Sequence, residues 1–329
     1  MHELSTRQGG ALSAFDLYEL FERELDASEK TRATYARSLR QWRRFLEARG
    51  ETEAEATRET VLAYRDELQE AGKSAATVNA YLTAVRALYA WLEARKIYPN
   101  VAAGIKGQRR NPNSPKDALT REQAARLLDK QPETLQEKRD YALVNLLLRR
   151  GLRTVEAARA NIGDVRQVNG QAVLYVQGKG YADKGDFVVL NEACLVPLYA
   201  YLEARGEKDP SAPLFAGIGN RNKGGRMSTR AISRLVKEAM QREGISSANL
   251  TAHSLRHTAV TFALLGGASV QEAQAMARHR NISTTLIYAH NLDRMDAAAE
   301  HALDAYLQPI AGEHKSAHNV NTVSTGEIC

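Results

Sequence analysis

Residues 253–290 read HSLRHTAVTFALLGGASVQEAQAMARHRNISTTLIYAH. His253 stands three residues before Arg256 and four before His257, so on a helix the three share one face. The apolar run Val260 to Leu265 carries that helix to Gly266-Gly267, where it should stop. A second helical pattern runs through Ala277. His279 and Tyr288 follow, with the turn-like Asn281-Ile282-Ser283 between them. Arginine offers phosphate oxygens a rigid positive fork, histidine exchanges a proton near neutral pH, and a positioned tyrosine is a nucleophile. The set points to chemistry at a phosphate, and its specificity lies in order and spacing. His253 and His257 also fit the spacing of two zinc ligands. However, no glutamate lies between them and Arg256 would repel a cation, so His257, like His290, reads as packed or internally hydrogen-bonded.

Upstream, GLRTVEAARANIGDV spans 151–165. Gly151 should end a helix over 135–149 that buries Tyr141, Leu143, Val144, Leu146 and Leu147. Arg153 starts the next turn beside that break. Glu156 could orient Arg153 or make a surface pair, since Arg149 and Arg150 are close in sequence. QAVLYVQ (171–177) and DFVVL (186–190) read as strands. The turn GKGYADKG between them carries Lys179 and Lys184 and does not match a P-loop.

His-x-x-Arg, a later His and a Tyr nine residues on together resemble the catalytic domain of the tyrosine recombinase (phage integrase) family. GLRTVEAARANIGDV is similar to that family's first arginine box, and YVQGKGYADKGDFVVL (175–190) to its β-hairpin. The resemblance covers roughly 14–310 and implies a catalytic set of Arg153, Lys179, His253, Arg256, His279 and Tyr288, with Lys184 as the fallback for Lys179. Tyr306, the other late tyrosine, lacks this context. Arg278 stands where the family usually has glycine. The implied fold is mainly α with a small β-hairpin or sheet (α+β), a helical core-binding domain and a catalytic domain closing on DNA as a C-shaped clamp. The implied activity is site-specific cleavage and rejoining of DNA through a 3′-phosphotyrosyl bond, without ATP, metal or other cofactor. Partners implied are duplex DNA carrying a recombination site, a homotetramer on two sites, and accessory DNA-bending proteins. A topoisomerase-like nicking and closing enzyme shares the chemistry, and a non-cleaving DNA-binding protein is the third reading.

The rest of the chain is consistent with this. Its 329 residues allow two domains, a hydrophobic share of 43% suits a globular core, and a net charge of +6 favours a polyanion only modestly. Cys194 and Cys329 make no disulfide framework, so a reduced, cytoplasmic, nucleoid-associated protein is expected. No apolar run has membrane length, and MHELSTRQGGALS has no signal core.

Helices are expected over 14–27, 31–49, 57–71 and 74–96, forming the core-binding domain at 14–103. Tyr35, Leu39, Trp42 and Leu46 make one stripe. Arg37, Arg40 and Arg44 make the opposite one, either a solvated face or phosphate contacts. Val78, Tyr81, Leu82, Val85, Leu88, Tyr89 and Leu92 stripe the fourth helix, with Ser74 as N-cap. The basic stretch 104–118, carrying Lys106, Arg109, Arg110 and Lys116, reads as a linker that lies along a groove or acts as a tether. The catalytic domain is expected over 119–310, with a helix that Thr120 can cap running through Leu128, and helices over 192–205 and over 228–243. The loop AGIGNRNKGGRMS (216–228) carries Arg221, Lys223 and Arg226 and either follows the DNA backbone or is disordered. A last helix, 291–308, packs at home or docks on a neighbouring subunit, and the polar tail 311–329 is expected to be disordered. The chain starts directly with the core-binding pattern, which favours a Xer-like resolvase or a mobile-element integrase over an enzyme with an arm-binding module.

Overall fold

The computed structural model describes residues 4–5, 11–12, 14–109, 118–178, 183–247, 249–296 and 303. Two compact units divide the chain, Met1–Ser114 and Pro115–Cys329.

In the first unit two short strands, β1 (Leu4–Ser5) and β2 (Ala11–Leu12), pair antiparallel. The sequence reading did not include them. Four helices follow: α1 (Ala14–Glu24), α2 (Glu29–Arg49), α3 (Arg58–Glu70) and α4 (Ala75–Ala94). Ser28, Thr57 and Ser74 cap the last three by accepting from the backbone N–H three residues on, which satisfies a donor that the first helical turn leaves open. Leu39, Trp42 and Leu46 are buried, and Tyr35 is half-buried. Arg37, Arg40 and Arg44 are exposed on the other face. The α4 stripe joins them in the core, Tyr81 half-buried and the others buried, together with Leu17 and Phe21 of α1 and Val61, Tyr64 and Leu68 of α3. Trp42 meets Tyr64 edge-on with ring centroids 5.0 Å apart, so these aromatics are core side chains. Buried Glu53 accepts a 2.5 Å hydrogen bond from the Tyr18 hydroxyl, and the Tyr89 hydroxyl donates to its backbone carbonyl at 3.2 Å.

The first part of the stretch read as linker is bound into this unit. Ile105 is buried, its carbonyl accepts from Arg86, and Asn79 donates to the Gln108 carbonyl at 2.9 Å. Apolar burial and two side-chain donors hold it where the turn-rich composition suggested a free tether. Lys106 and Arg109 are exposed, and Arg110 and Lys116 lie outside the described residues.

The second unit is built on α6 (Leu135–Arg150), whose stretch from Ala142 to Leu148 is buried throughout. A helix apolar on every side must be covered on every side. Here α5 (Arg121–Leu128), α8 (Glu192–Arg205), α9 (Thr229–Arg242) and α10 (Ala252–Leu265) pack against it. Short α7 (Thr154–Arg159) follows α6, and α11 (Val270–Ala277) and α12 (Ser283–Asp296) complete the unit. A three-stranded antiparallel sheet has the order β3 (Val165–Val168), β4 (Gln171–Val176), β5 (Asp186–Leu190). The expected pair of strands is β4 and β5, in register Val173↔Val189. The added strand β3 arises from Asn169-Gly170, both at positive φ, a two-residue turn that pairs Val168 with Gln171.

Two further expectations change. Tyr288 rides within α12, so the helix expected from 291 begins at Ser283, and beyond Asp296 only Leu303 is described. The loop 216–228 is pinned in its described part. Arg226 donates to the carbonyls of Ala158 at 2.8 Å and Ala160 at 3.1 Å and to the Asn161 side chain, so its guanidinium is a structural tie. Lys223 is exposed, whereas the Arg221 side chain, like the tail 311–329, lies outside the described residues. No helix among the described residues is long and apolar enough to cross a membrane.

Candidate active site

Three helix boundaries bring the charged side chains together. The first is the end of α6, where Gly151 takes the left-handed conformation at φ 57°. A Cβ there would meet Ala259 at 3.4 Å and Arg256 at 3.8 Å, ordinary van der Waals contact, so it is the left-handed backbone that favours glycine here. The second is the start of α10, capped by Thr251, which places His253 exposed at the surface and Arg256 and His257 inside. The third is the turn after α11, where Arg278 caps the helix in the left-handed conformation at φ 53°. The turn expected of glycine therefore forms with arginine in it.

The two arginines of the predicted set are held by backbone carbonyls. Arg256, 2% exposed, donates to Gly151 O at 2.5 Å and to Ala277 O. Burial, and then the charges of Arg153 and Arg278, push its pKa down to about 9, against the opposing pull of Glu156. It stays cationic at neutral pH, and a nearby anion would relieve the strain. Arg153 donates from Nη2 to Arg278 O at 3.1 Å and from Nη1 to Glu156 Oε1 at 2.6 Å. Glu156 is fully buried, so the surface-pair alternative falls away. Its other oxygen takes Arg278 Nη2 at 2.7 Å. Burial by itself would raise the Glu156 pKa, but the charges and hydrogen bonds of Arg278 and Arg153 outweigh it and hold the carboxyl below its ordinary value. Three guanidiniums against one carboxylate leave two positive charges in excess.

His279 is oriented by its ring and its backbone. Its Nδ1 lies 2.9 Å from the Thr285 hydroxyl, and Gln274 donates to its carbonyl at 3.0 Å. Arg153, His253, Arg256 and His279 all line one open cleft of about 800 Å³, as do Arg278 and Gly178. The predicted Lys179 follows Gly178 and lies outside the described residues. Its fallback, Lys184, is bound to Asp164 at 2.5 Å, which assigns it a structural partner.

Tyr288 is not among the described residues that line the cleft. It is 9% exposed, packed with Val260 and Ala277, and its hydroxyl is hydrogen-bonded to His257 Nδ1. The reading of His257 as internally bonded agrees with this, although its partner was not foreseen. The i, i+4 spacing from His253, seen now as ring centroids 4.4 Å apart, was the available signal. The buried position of Arg278 was also unforeseen.

Over residues 117–295 the sequence matches the phage integrase family, and over 15–96 the N-terminal SAM-like domain of phage integrases. The chain belongs to the phage integrase family, the tyrosine recombinases. It is 31% identical to the tyrosine recombinase XerC of Pelobacter propionicus over 289 residues, 86% of this chain and 92% of that protein. It is 29% identical to XerD of Rhizobium meliloti over 84% of this chain and 89% of that one. Among solved structures, a XerH recombinase on difH DNA in a post-cleavage complex shares the fold with a TM-score of 0.69, at 21% identity over 88% of this chain and 86% of that one. The Tn1549 transposon integrase bound to transposon right-end DNA follows at 0.66, at 19% identity over 84% and 94%.

Proposed function

We propose that this recombinase cuts and rejoins DNA at a specific site through a covalent bond between Tyr288 and the 3′ phosphate. The observation that carries the reading is the cleft that gathers Arg153, Arg256, His253 and His279, with Tyr288 on the adjoining helix. The Tyr288 oxygen attacks phosphorus, the phenolic proton leaves, and the 5′ oxygen departs and takes up a proton. One phosphate ester replaces another, so neither ATP nor ligase is required. Arg153 and Arg256 hold the nonbridging oxygens, where negative charge gathers in the transition state. His253 takes the tyrosine proton or contacts the phosphate, His279 positions the phosphate or Tyr288, and Lys179 protonates the leaving 5′ oxygen. Loss of the Arg256 donor is expected to cost on the order of a hundredfold or more in rate.

The enzyme acts as a tetramer on two sites, with DNA-bending helpers, in Xer-like resolution or mobile-element integration. Exposed Arg37, Arg40 and Arg44, with Lys106, Arg109, Arg110, Arg221 and Lys223, contact the DNA backbone. Each lost phosphate contact should flatten the salt dependence of binding by about 0.9 in log–log slope. A nicked suicide duplex carrying the cognate site tests the chemistry. Wild-type protein should leave a denaturation-resistant adduct on the 3′ end, in EDTA as well. Tyr288→Phe should bind DNA and leave none, and an adduct from that variant refutes the assignment.

A further inference from the structure

The family's usual glycine is replaced by Arg278, and the substitution is not idle. A left-handed residue favours glycine, yet the arginine here is tucked in, its side chain 6% exposed, with its guanidinium bonded to Glu156 at 2.7 Å and to Met276 O at 2.5 Å. Arg153, its competitor for the same carboxylate, is 27% exposed and lines the cleft. A fully buried carboxylate deprived of every cation is strongly unfavourable. If Arg153 were its single hydrogen-bonded cation, turning that guanidinium to a phosphate would leave Glu156 no bonded cation, with only the charge of Arg256 nearby. With Arg278 in place, one cation stays while the other turns. The turn's carbonyls, Ala277 O to Arg256 and Arg278 O to Arg153, are backbone contacts that glycine would keep.

We propose that Arg278 is a positioning residue: it holds the charge of Glu156 and so releases the Arg153 guanidinium for the scissile phosphate. The proposal rests on the recombination chemistry given above, and its test separates the two. Single-turnover cleavage of the suicide duplex is measured for wild type, Arg278→Gly and the double variant Glu156→Gln/Arg278→Gly, with DNA binding as the control for folding. Arg278→Gly should cleave on the order of tenfold more slowly, the lower end of the loss seen when the partner behind a metal-binding side chain is removed. The double variant, which leaves no buried carboxylate to hold Arg153, should recover most of that rate. On a duplex whose scissile phosphate is an uncharged methylphosphonate, the gap between wild type and Arg278→Gly should narrow, a change that a purely structural role does not produce. Wild-type speed from Arg278→Gly, or a double variant as slow as the single one, overturns the proposal. Should Arg278→Gly not fold, Arg278→Lys keeps the charge and should cleave at nearly the wild-type rate, and a tenfold loss there overturns it equally. No adduct from wild type sinks the recombination reading itself, and this inference with it.

Discussion

Two tyrosines, half-buried Tyr18 and buried Tyr288, divide the molecule's polar contacts into two kinds. In the first unit Tyr18 donates to the carboxylate of Glu53, and burial first, then that neighbouring charge, pushes its pKa far above the ordinary tyrosine range. Its proton is locked in place, and the pair ties α1 to the segment between α2 and α3. In the second unit Tyr288 meets an imidazole, a group able to take a proton as well as give one. The carboxylates divide in the same way. Glu53 is served by a neutral hydroxyl, whereas Glu156 sits among guanidiniums whose charge it does not cancel. A polar group satisfied by neutral donors fixes a fold, and an excess of one sign facing a cleft awaits a ligand of the other.

Exchanging the two tyrosines for phenylalanine is the sharpest way to break this comparison. Tyr288→Phe should lose covalent capture altogether. Tyr18→Phe should still form the adduct but lower stability by about 1–3 kcal/mol in chemical denaturation, because buried Glu53 loses a donor. Capture abolished by Tyr18→Phe in a folded protein would erase the distinction. A smaller effect is expected from His257→Leu, which leaves the Tyr288 hydroxyl buried without its partner. Unfolding free energy should fall by about 1–3 kcal/mol, and an unchanged value would mean that the bond contributes nothing to the resting state.

The smallest effect concerns Glu156 and acid. Its folded pKa lies below the unfolded value, so its contribution is fully present above about pH 4.3 and is lost as pH falls through the folded value. Thermal unfolding of the wild type should therefore drop more steeply below about pH 4 than that of Glu156→Gln. Parallel curves would show that the carboxylate carries no such linkage.

Much of this was legible in the chain. The stripes of α2 and α4, the caps at Ser74 and Thr120, and the glycine stop after α6 are local signals and were read as such. The gathering of Arg153, His253, Arg256 and His279 came from spacing combined with family resemblance. The strand β3 was readable too, from Asn169-Gly170, but its own residues, VRQV, do not alternate, and only the two end valines, on opposite faces, are half-buried. What sequence withheld depends on distant partners. Glu156 is a surface candidate until Arg278, far along the chain, closes over it. Ile105 lies in linker-like sequence until the first unit's core buries it.

The sheltered hydroxyl of Tyr288 also bears on timing. An enzyme whose blade is always drawn would nick whatever duplex it touched. If Tyr288 is the nucleophile proposed above, then with its ring packed against Val260 and Ala277 and its oxygen held by His257 each molecule must first leave a favourable resting arrangement. If that departure costs about 2 kcal/mol, only roughly three molecules in a hundred are ready to cut at any instant. Contacts made by the correct site can repay the difference, and a passing stretch of genome cannot. Discretion would then begin before any base is read.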